Sequence, residues 1–265
     1  MTIGIFDSGM GGLTVMRALK ARLPGESFLY LGDTARLPYG TKSAETVTRY
    51  AVQAARALLA HDIKLLVVAC NTASAAALPV LAETLAPLPV VGVIAPGAAA
   101  AVAAAPGGPI AVIATEGTVK GGAYVRAIQA LVPRMPVVSQ AAPLFVALAE
   151  EGLREGPIAR LVAERYLTPL LATLPRPKAL VLGCTHFPVL KDVIGQVAGA
   201  DVAIIDSAET TAKAVEEILN ARGLLAAGPG SSRFLCTDAP GRFAHLGEIF
   251  LGEPIDPGSV TLVDL

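Results

Sequence analysis

Leu66-Val-Val-Ala-Cys70-Asn-Thr72 is the stretch from which the fold can be predicted, and Leu180-Val-Leu-Gly-Cys184-Thr-His186 repeats its pattern later in the chain. Each stretch joins a short apolar run to a cysteine that is followed by two hydrogen-bonding residues. Continuous rather than alternating hydrophobicity is typical of strands buried on both faces of a parallel sheet. We therefore expect each cysteine at the carboxyl end of a buried strand, directly before a helix.

Similar apolar runs recur along the chain, and most precede a small or polar turn and a helical pattern. The predicted strands are residues 3–6, 28–31, 65–69, 90–94, 110–114, 179–182 and 202–205, with a further strand around Cys236. The predicted helices are residues 43–60, 122–131, 158–174 and 208–222, and Ser43 is the expected cap of the first. This alternation predicts an α/β architecture with crossover helices.

The two cysteine stretches belong to a weak internal repeat. Ile3-Gly-Ile-Phe-Asp7-Ser8-Gly9 resembles Ile110-Ala-Val-Ile-Ala114-Thr115-Glu116, and each of these segments precedes one cysteine stretch. The repeat predicts two similar domains, each a mostly parallel sheet flanked by helices, with the active site in the cleft between them. The predicted first domain is residues 1–95 plus 206–265, and the second is residues 96–205.

Composition excludes several classes of protein. Of 265 residues, 53% are hydrophobic and 16% charged, with 21 basic against 22 acidic side chains and a net charge of -1. This composition is not that of a disordered chain, and it leaves no basic footprint for nucleic acid or an anionic membrane. Residues 84–115 carry no charge, but prolines and glycines interrupt them, and the N-terminus lacks a signal-peptide pattern. We expect a cytoplasmic protein without membrane contact.

The motifs for bound cofactors and metals are missing from the sequence. Three cysteines without a CxxC pair, together with three dispersed histidines, predict neither disulfides nor a metal site. The loop from Asp7 to Gly12 is not a dinucleotide fingerprint, because Thr14 occupies the position of its last glycine. Its amides suit a carboxylate or phosphate; the alternative is a tight turn that Asp7 caps.

Cys70 and Cys184 are the candidate catalysts. A helix N-terminus lowers the pKa of a thiol, although a buried cysteine taken alone is ordinarily inert. Two thiols at equivalent places in related halves predict the transfer of a proton from one face of a carbon to the other. One must begin as thiolate and the other as thiol. Asp7 is placed to assist one cysteine and His186 the other, while Glu150 and Glu151 are both candidates to hold His186.

With these segments the chain resembles the glutamate racemases, a family of the cofactor-independent aspartate/glutamate racemase superfamily. The matching segments are residues 3–15, Leu31-Gly-Asp-Thr-Ala-Arg-Leu-Pro-Tyr-Gly40, Ala69-Cys-Asn-Thr-Ala-Ser74, Pro143-Leu-Phe-Val146 with Glu150, Leu182-Gly-Cys-Thr-His-Phe-Pro188 and Ile205-Asp-Ser207. They follow the family's order over nearly the whole chain.

The resemblance implies the activity and the site. It implies that Cys70 and Cys184 are the two acid/base residues for glutamate, without a cofactor, in a homodimer that supplies D-glutamate for peptidoglycan. The substrate-binding residues that it implies are Asp7, Ser8, Tyr39, Gly40, Asn71, Thr72, Thr115, Thr118, Thr185 and His186. The chain departs from many relatives at Gly121, near which they have a serine, and at Ala142, near which they have a cysteine.

Three questions stay open at this point. Asp7 suits either the substrate ammonium or a role beside Cys70. The substrate is glutamate in our preferred interpretation, with aspartate or another substrate of the superfamily, such as a hydantoin, as the alternative. A non-catalytic amino-acid-binding protein is the third possibility, although binding alone needs no paired thiols.

Overall fold

The computed structural model describes residues 1–173 and 175–265, which form an α/β fold. The strands are β1 Thr2–Asp7, β2 Phe28–Gly32, β3 Ile63–Val68, β4 Val90–Gly92, β5 Ile110–Ala114, β6 Val137–Ala141, β7 Ala179–Gly183, β8 Ala203–Asp206, β9 Ser232–Cys236 and β10 Val260–Leu262. The helices are α1 Leu13–Arg22, α2 Ala44–Leu59, α3 Asn71–Thr84, α4 Ile94–Ala104, α5 Glu116–Gly121, α6 Ala123–Leu131, α7 Leu144–Glu150, α8 Gly156–Leu171, α9 Lys191–Ala198, α10 Ser207–Arg222 and α11 Pro240–Leu251.

The strands form two sheets whose pairings are all parallel among the described residues. One sheet has the order β10-β9-β2-β1-β3-β4, and the other has the order β6-β5-β7-β8. The run β2-β1-β3-β4 and the order β6-β5-β7-β8 follow the same pattern, so the internal repeat of the sequence is a repeat of topology. The prediction of two similar, largely parallel sheets flanked by helices is confirmed.

The C-terminal part of the chain returns to the first sheet, where β9 pairs with β2. The six-stranded sheet thus draws on both ends of the chain, and the four-stranded sheet on its middle. Domain boundaries near residues 95 and 205 stay a prediction. Helix α10 packs against α1 and α4 and joins the two parts of the molecule.

Most predicted elements lie within a few residues of the observed ones. Ser43 caps α2 by accepting the N–H of Thr46 at 3.2 Å, as expected. The strand predicted over residues 90–94 ends at Gly92, because α4 begins at Ile94. The alanines of α4 favour a helix, and Pro96 lies in the first turn of α4, where proline is tolerated. The predicted end of α8 at Leu174 lies outside the described residues.

Some elements were not predicted from the sequence. They are α4, α5, α7, α11, β6 and β10, whereas the helix expected after Cys184 begins as a 3-10 segment at Phe187 and continues as α9. Strand β6 lies at the edge of its sheet and is only half-buried, so its residues lack the continuous hydrophobicity of a central strand. No helix in the described part of the chain is both long and apolar enough to cross a membrane.

The carboxyl ends of the strands in the two sheets face each other. Thr72, after β3, lies with its Oγ1 2.9 Å from Oγ1 of Thr115, after β5. Thr14 of α1 donates to the carbonyl of Thr185, after β7, at 3.0 Å. In open parallel sheets, ligands bind beyond the carboxyl ends of the strands. The fold therefore places both cysteine stretches along one cleft.

Lys64 lies near the start of β3, at the end opposite the cleft, and forms a buried ion pair with Glu26. Its Nζ lies 2.6 Å from Oε2 of Glu26, and the side chains are 4% and 1% exposed. Lys64 also donates to the carbonyl of Leu224, and Glu26 accepts the N–H of Ala226. The pair thus ties the segment after α10 to the first sheet.

Lys64→Ala is expected to lower the free energy of unfolding by about 3 kcal/mol, because Glu26 would remain buried without its counter-charge. Urea denaturation measures the loss. Lys213→Ala is the matched control, since Lys213 pairs with Glu217 on the surface, where both side chains are about two-thirds exposed. Its loss should be at most about 0.5 kcal/mol. Equal losses in the two variants would contradict a stabilising role for the buried pair.

Candidate active site

A cavity of about 190 Å³ lies between the facing sheet edges. It is lined by Ser8, Pro38, Tyr39, Gly40, Thr41, Cys70, Asn71, Thr72, Thr115, Glu116, Pro143, Val146, Cys184, Thr185 and His186. Both cysteines of the internal repeat thus line one cavity, one from each sheet.

Cys70 lies between β3 and α3 and is 5% exposed. Its thiol donates to Oγ of Ser8 at 3.5 Å, and its sulfur accepts the N–H of Ala73 at the same distance. Burial and the nearby charge of Asp7 raise the pKa of Cys70 to about 12, although the contacts to Ser8 and Ala73 oppose the rise. The Ala73 amide at the helix N-terminus lowers this pKa, as expected, but burial and Asp7 outweigh it, so the expectation of a lowered pKa is wrong for Cys70. Cys70 is a thiol in the free protein.

Cys184 has a different neighbour, the imidazole of His186. Nδ1 of His186 lies 3.8 Å from the Cys184 sulfur, and Nε2 lies 3.2 Å from Oε1 of Glu150. Burial opposes the charge on the ring, but the contacts to Cys184 and Glu150 raise the pKa of His186 to about 10. The hydrogen bond from His186 holds the pKa of Glu150 below its usual value. Glu150, rather than Glu151, is the partner of His186.

Asp7 ends β1 and is fully buried beneath the cavity rather than in its lining. Its carboxylate accepts the N–H of Gly9 at 3.0 Å and lies 3.5 Å from Oγ1 of Thr185. Burial raises the pKa of Asp7, although His186 and the loop amides oppose this rise. The loop amides therefore serve Asp7, as in the alternative of a capped turn. This position favours a role beside Cys70 over a contact with substrate ammonium.

The glycines of this loop allow it to contact the Cys184 segment. A Cβ at Gly11 would lie 2.4 Å from Nδ1 of His186 and 2.6 Å from Oγ1 of Thr185. A Cβ at Gly12 would lie 2.5 Å from the Cβ of Asp7. Any side chain at either position would displace a group of the site.

Tyr39 reaches the cavity from a short 3-10 helical segment after β2. Its hydroxyl donates to Asp33, which also binds Nε of Arg36 at 2.7 Å and Oγ1 of Thr237 at 2.9 Å. Burial and the charge of Asp33 raise the pKa of Tyr39, so its hydroxyl stays protonated. Asp33 therefore fixes the Tyr39 loop and ties it to the end of β9.

Hydroxyl and amide groups complete the lining. Thr72, Thr115 and Thr118 form a cluster in which the Oγ1 atoms of Thr115 and Thr118 are 3.0 Å apart. Asn71 accepts a hydrogen bond from Tyr124 at 2.8 Å. Among the described residues, no lysine or arginine lines the cavity, and no cluster of three metal-ligating side chains occurs. Anionic groups of a ligand would thus be bound by neutral donors and His186.

The structure brings most of the predicted site residues to this cavity. Those in its lining are Ser8, Tyr39, Gly40, Cys70, Asn71, Thr72, Thr115, Cys184, Thr185 and His186. Asp7 and Thr118 lie behind it, and Glu150 lines a separate cavity on the far side of His186. Their roles stay predictions.

Five lining residues were not singled out from the sequence. They are Pro38, Thr41, Glu116, Pro143 and Val146. Pro38 and the Pro143–Val146 stretch lie within the segments that match the family, and this match could have indicated that they belong to the site. Thr41 and Glu116 lie directly beside predicted residues, but neither carries a motif of its own.

Known proteins share both the sequence and the fold. The family model for Asp/Glu/Hydantoin racemase matches residues 3–215. A glutamate racemase of Geobacter metallireducens is 52% identical over 99% of this chain and 96% of its own length. The crystal structure of a glutamate racemase isoform of Bacillus anthracis has a TM-score of 0.94 and 40% identity, over 100% of this chain and 97% of that one.

A third relative was solved with an amino acid bound. The glutamate racemase of Francisella tularensis, crystallised in complex with D-glutamate, has a TM-score of 0.91 and 37% identity, over 99% of this chain and 97% of that one. These matches extend over both sheets and confirm the resemblance found in the sequence. The chain belongs to the Asp/Glu/Hydantoin racemase family and, within it, to the glutamate racemases.

Proposed function

We propose that this protein interconverts L-glutamate and D-glutamate without a cofactor, by proton transfer between the substrate and two cysteines. The observation that carries the proposal is that Cys70 and Cys184, one after each of two equivalent strands, line one small cavity. The relatives named above are glutamate racemases, and the similarity extends over nearly their whole length, which supports glutamate as the substrate. A protein that only bound an amino acid would need no paired thiols.

Cys184 begins the reaction as the base. The protonated ring of His186 donates to its sulfur through Nδ1 at 3.8 Å and holds the sulfur in place. The thiolate removes the α-proton of glutamate, and the electron pair of the broken C–H bond stays on the substrate as a carbanion. Glu150 holds the opposite side of the ring and balances its charge.

Cys70 completes the transfer from the opposite side of the cavity. Its high pKa keeps it protonated, so it can deliver its proton to the other face of the α-carbon. The product is the opposite enantiomer, with Cys70 left as thiolate and Cys184 as thiol. The reverse reaction starts from that state, so each cysteine serves one enantiomer.

Neutral donors bind the substrate and stabilise its charge. The hydroxyls of Ser8, Thr72, Thr115 and Thr185, with the amide of Asn71, surround the cavity. Donors that are already fixed in place stabilise a developing negative charge without the reorganisation that water needs. They are therefore suited both to the carboxylates and to the carbanion.

The same proposal gives the protein its place in the cell. D-Glutamate is the product that peptidoglycan synthesis consumes, and the enzyme would supply it in the cytoplasm. We include in the proposal that the protein acts as a homodimer, in line with the resemblance found in the sequence.

Cys70→Ala and Cys184→Ala are each expected to lower the racemisation rate at least about 1,000-fold, because either change removes one of two acid/base groups. Circular dichroism of glutamate at fixed enzyme concentration measures the rate, and aspartate is assayed in parallel. Cys236→Ala is the matched control, since Cys236 is buried in β9 outside the cavity. Near-normal turnover of either cavity variant would contradict the mechanism.

Isotope exchange in D₂O tests the two-base transfer in the unaltered enzyme. At early times the product enantiomer should carry deuterium at the α-carbon while the remaining substrate keeps its proton, since a different thiol serves each face. Mass spectrometry after chiral separation measures both pools. Rapid deuterium uptake into the remaining substrate would indicate a single base.

Glu150→Gln should shift the alkaline limit of activity to lower pH. Loss of the carboxylate lowers the pKa of His186 from about 10 by roughly 1–2 units, so the ring deprotonates earlier as pH rises. The pH profile of kcat/KM measures the shift. Glu151→Gln is the control because the exposed Glu151 does not contact His186. An unchanged profile for Glu150→Gln, or equal shifts in both variants, would rule out this role.

A further inference from the structure

Tyr124 lies outside the cavity lining but reaches a residue within it. It belongs to α6, beside the second sheet, and is 2% exposed. Its hydroxyl donates to Oδ1 of Asn71 at 2.8 Å, across the interface between the two halves of the molecule. Cβ atoms built at Gly97 and Gly183 would lie 3.3 and 3.0 Å from its ring, so these glycines leave room for the ring.

The Asn71 carboxamide has one satisfied end and one free end. Oδ1 accepts the Tyr124 proton, whereas Nδ2 is buried and has no hydrogen-bond partner within the described part of the chain. A buried donor without an acceptor costs about 1–3 kcal/mol. Because Asn71 lines the cavity, a ligand there is the natural source of the missing acceptor.

We propose that Tyr124 is a positioning residue for racemisation: its hydroxyl fixes the Asn71 carboxamide so that Nδ2 donates to a carboxylate of the substrate. The proposal rests on the proposed function and extends it to a residue outside the cavity. Because Tyr124 and Asn71 belong to different halves, the donor is oriented only when the halves are together.

The direction of the hydrogen bond follows from the setting of the phenol. Burial and the charges of Cys184 and Asp206 raise the pKa of Tyr124, so its oxygen keeps its proton at every working pH. A phenol that donates to the carboxamide selects the oxygen end of Asn71. Without that donor the carboxamide can rotate by half a turn and present its oxygen to the cavity, where it would repel a carboxylate.

Tyr124→Phe tests the proposal because it removes the hydroxyl and keeps the ring in place. We expect kcat/KM for both enantiomers to fall about 10- to 100-fold, as for the loss of an oriented donor. Binding of D-glutamate, measured by calorimetry, should weaken about tenfold. Tyr166→Phe is the control, since Tyr166 is also buried in the second half but lies outside the cavity lining.

A double-mutant cycle separates positioning from a general structural effect. In the Asn71→Ala background, Tyr124→Phe should cause less than a twofold further loss, because the group through which it acts is gone. Thermal unfolding of each variant checks that the fold is kept. An equal loss from Tyr124→Phe in both backgrounds, or full activity of Tyr124→Phe alone, would overturn the positioning role.

Failure of the proposed racemase function would give results different from failure of the positioning role of Tyr124. If the unaltered protein bound D-glutamate but did not racemise it, the catalytic proposal would fall, and the calorimetric cycle with Asn71→Ala would still decide the role of Tyr124. If the unaltered protein neither bound nor racemised glutamate, both proposals would be overturned.

Discussion

The close contact between the loop after β1 and the turn after β7 is the constraint on which the site depends. At Gly11 there is no room for a Cβ, because Nδ1 of His186 and Oγ1 of Thr185 occupy the space. The same turn is held by the bond from Thr14 to the Thr185 carbonyl. Two parallel sheets that meet edge to edge would otherwise leave an open groove. Because the loop has no side chain at this point, the two edges approach closely enough to form a cavity of about 190 Å³ between them.

This contact also makes the two cysteines unequal, although their positions in the repeat are equivalent. Burial and the nearby carboxylate of Asp7 raise the pKa of Cys70 and favour its thiol form. Cys184 lies beside His186, where burial opposes the charge on the ring but the contacts with Cys184 and Glu150 favour the protonated form. A two-base reaction needs one proton donor and one acceptor at the start, and two thiols in identical surroundings would not provide them. The asymmetry therefore arises from the residues packed around the repeat rather than from the repeat itself.

Local patterns in the sequence were sufficient for the central strands and for the two cysteines, whereas most of the cavity lining was predicted from the resemblance to a known family. Continuous apolar runs marked β3 and β7, so the cysteines that follow them were placed correctly at the strand ends. Strand β6 and helix α4 were not predicted, since an edge strand is only half-buried and an alanine-rich segment has no amphipathic stripe. The pKa of Cys70 and the link from Tyr124 to Asn71 depend on contacts between residues far apart in the chain. Such contacts become visible only once the halves are packed together.

The choice of neutral donors for a substrate with two carboxylates follows from the need for a basic sulfur. A lysine or arginine in the lining would bind a carboxylate strongly, but it would also stabilise a neighbouring thiolate and make it a weaker base. Hydroxyls and a fixed amide bind carboxylates without adding a full positive charge beside the sulfur. Within the described part of the chain, the cationic group that contacts a cysteine is His186, whose charge Glu150 balances. The cavity can therefore bind an anion without a lysine or arginine charge in its lining.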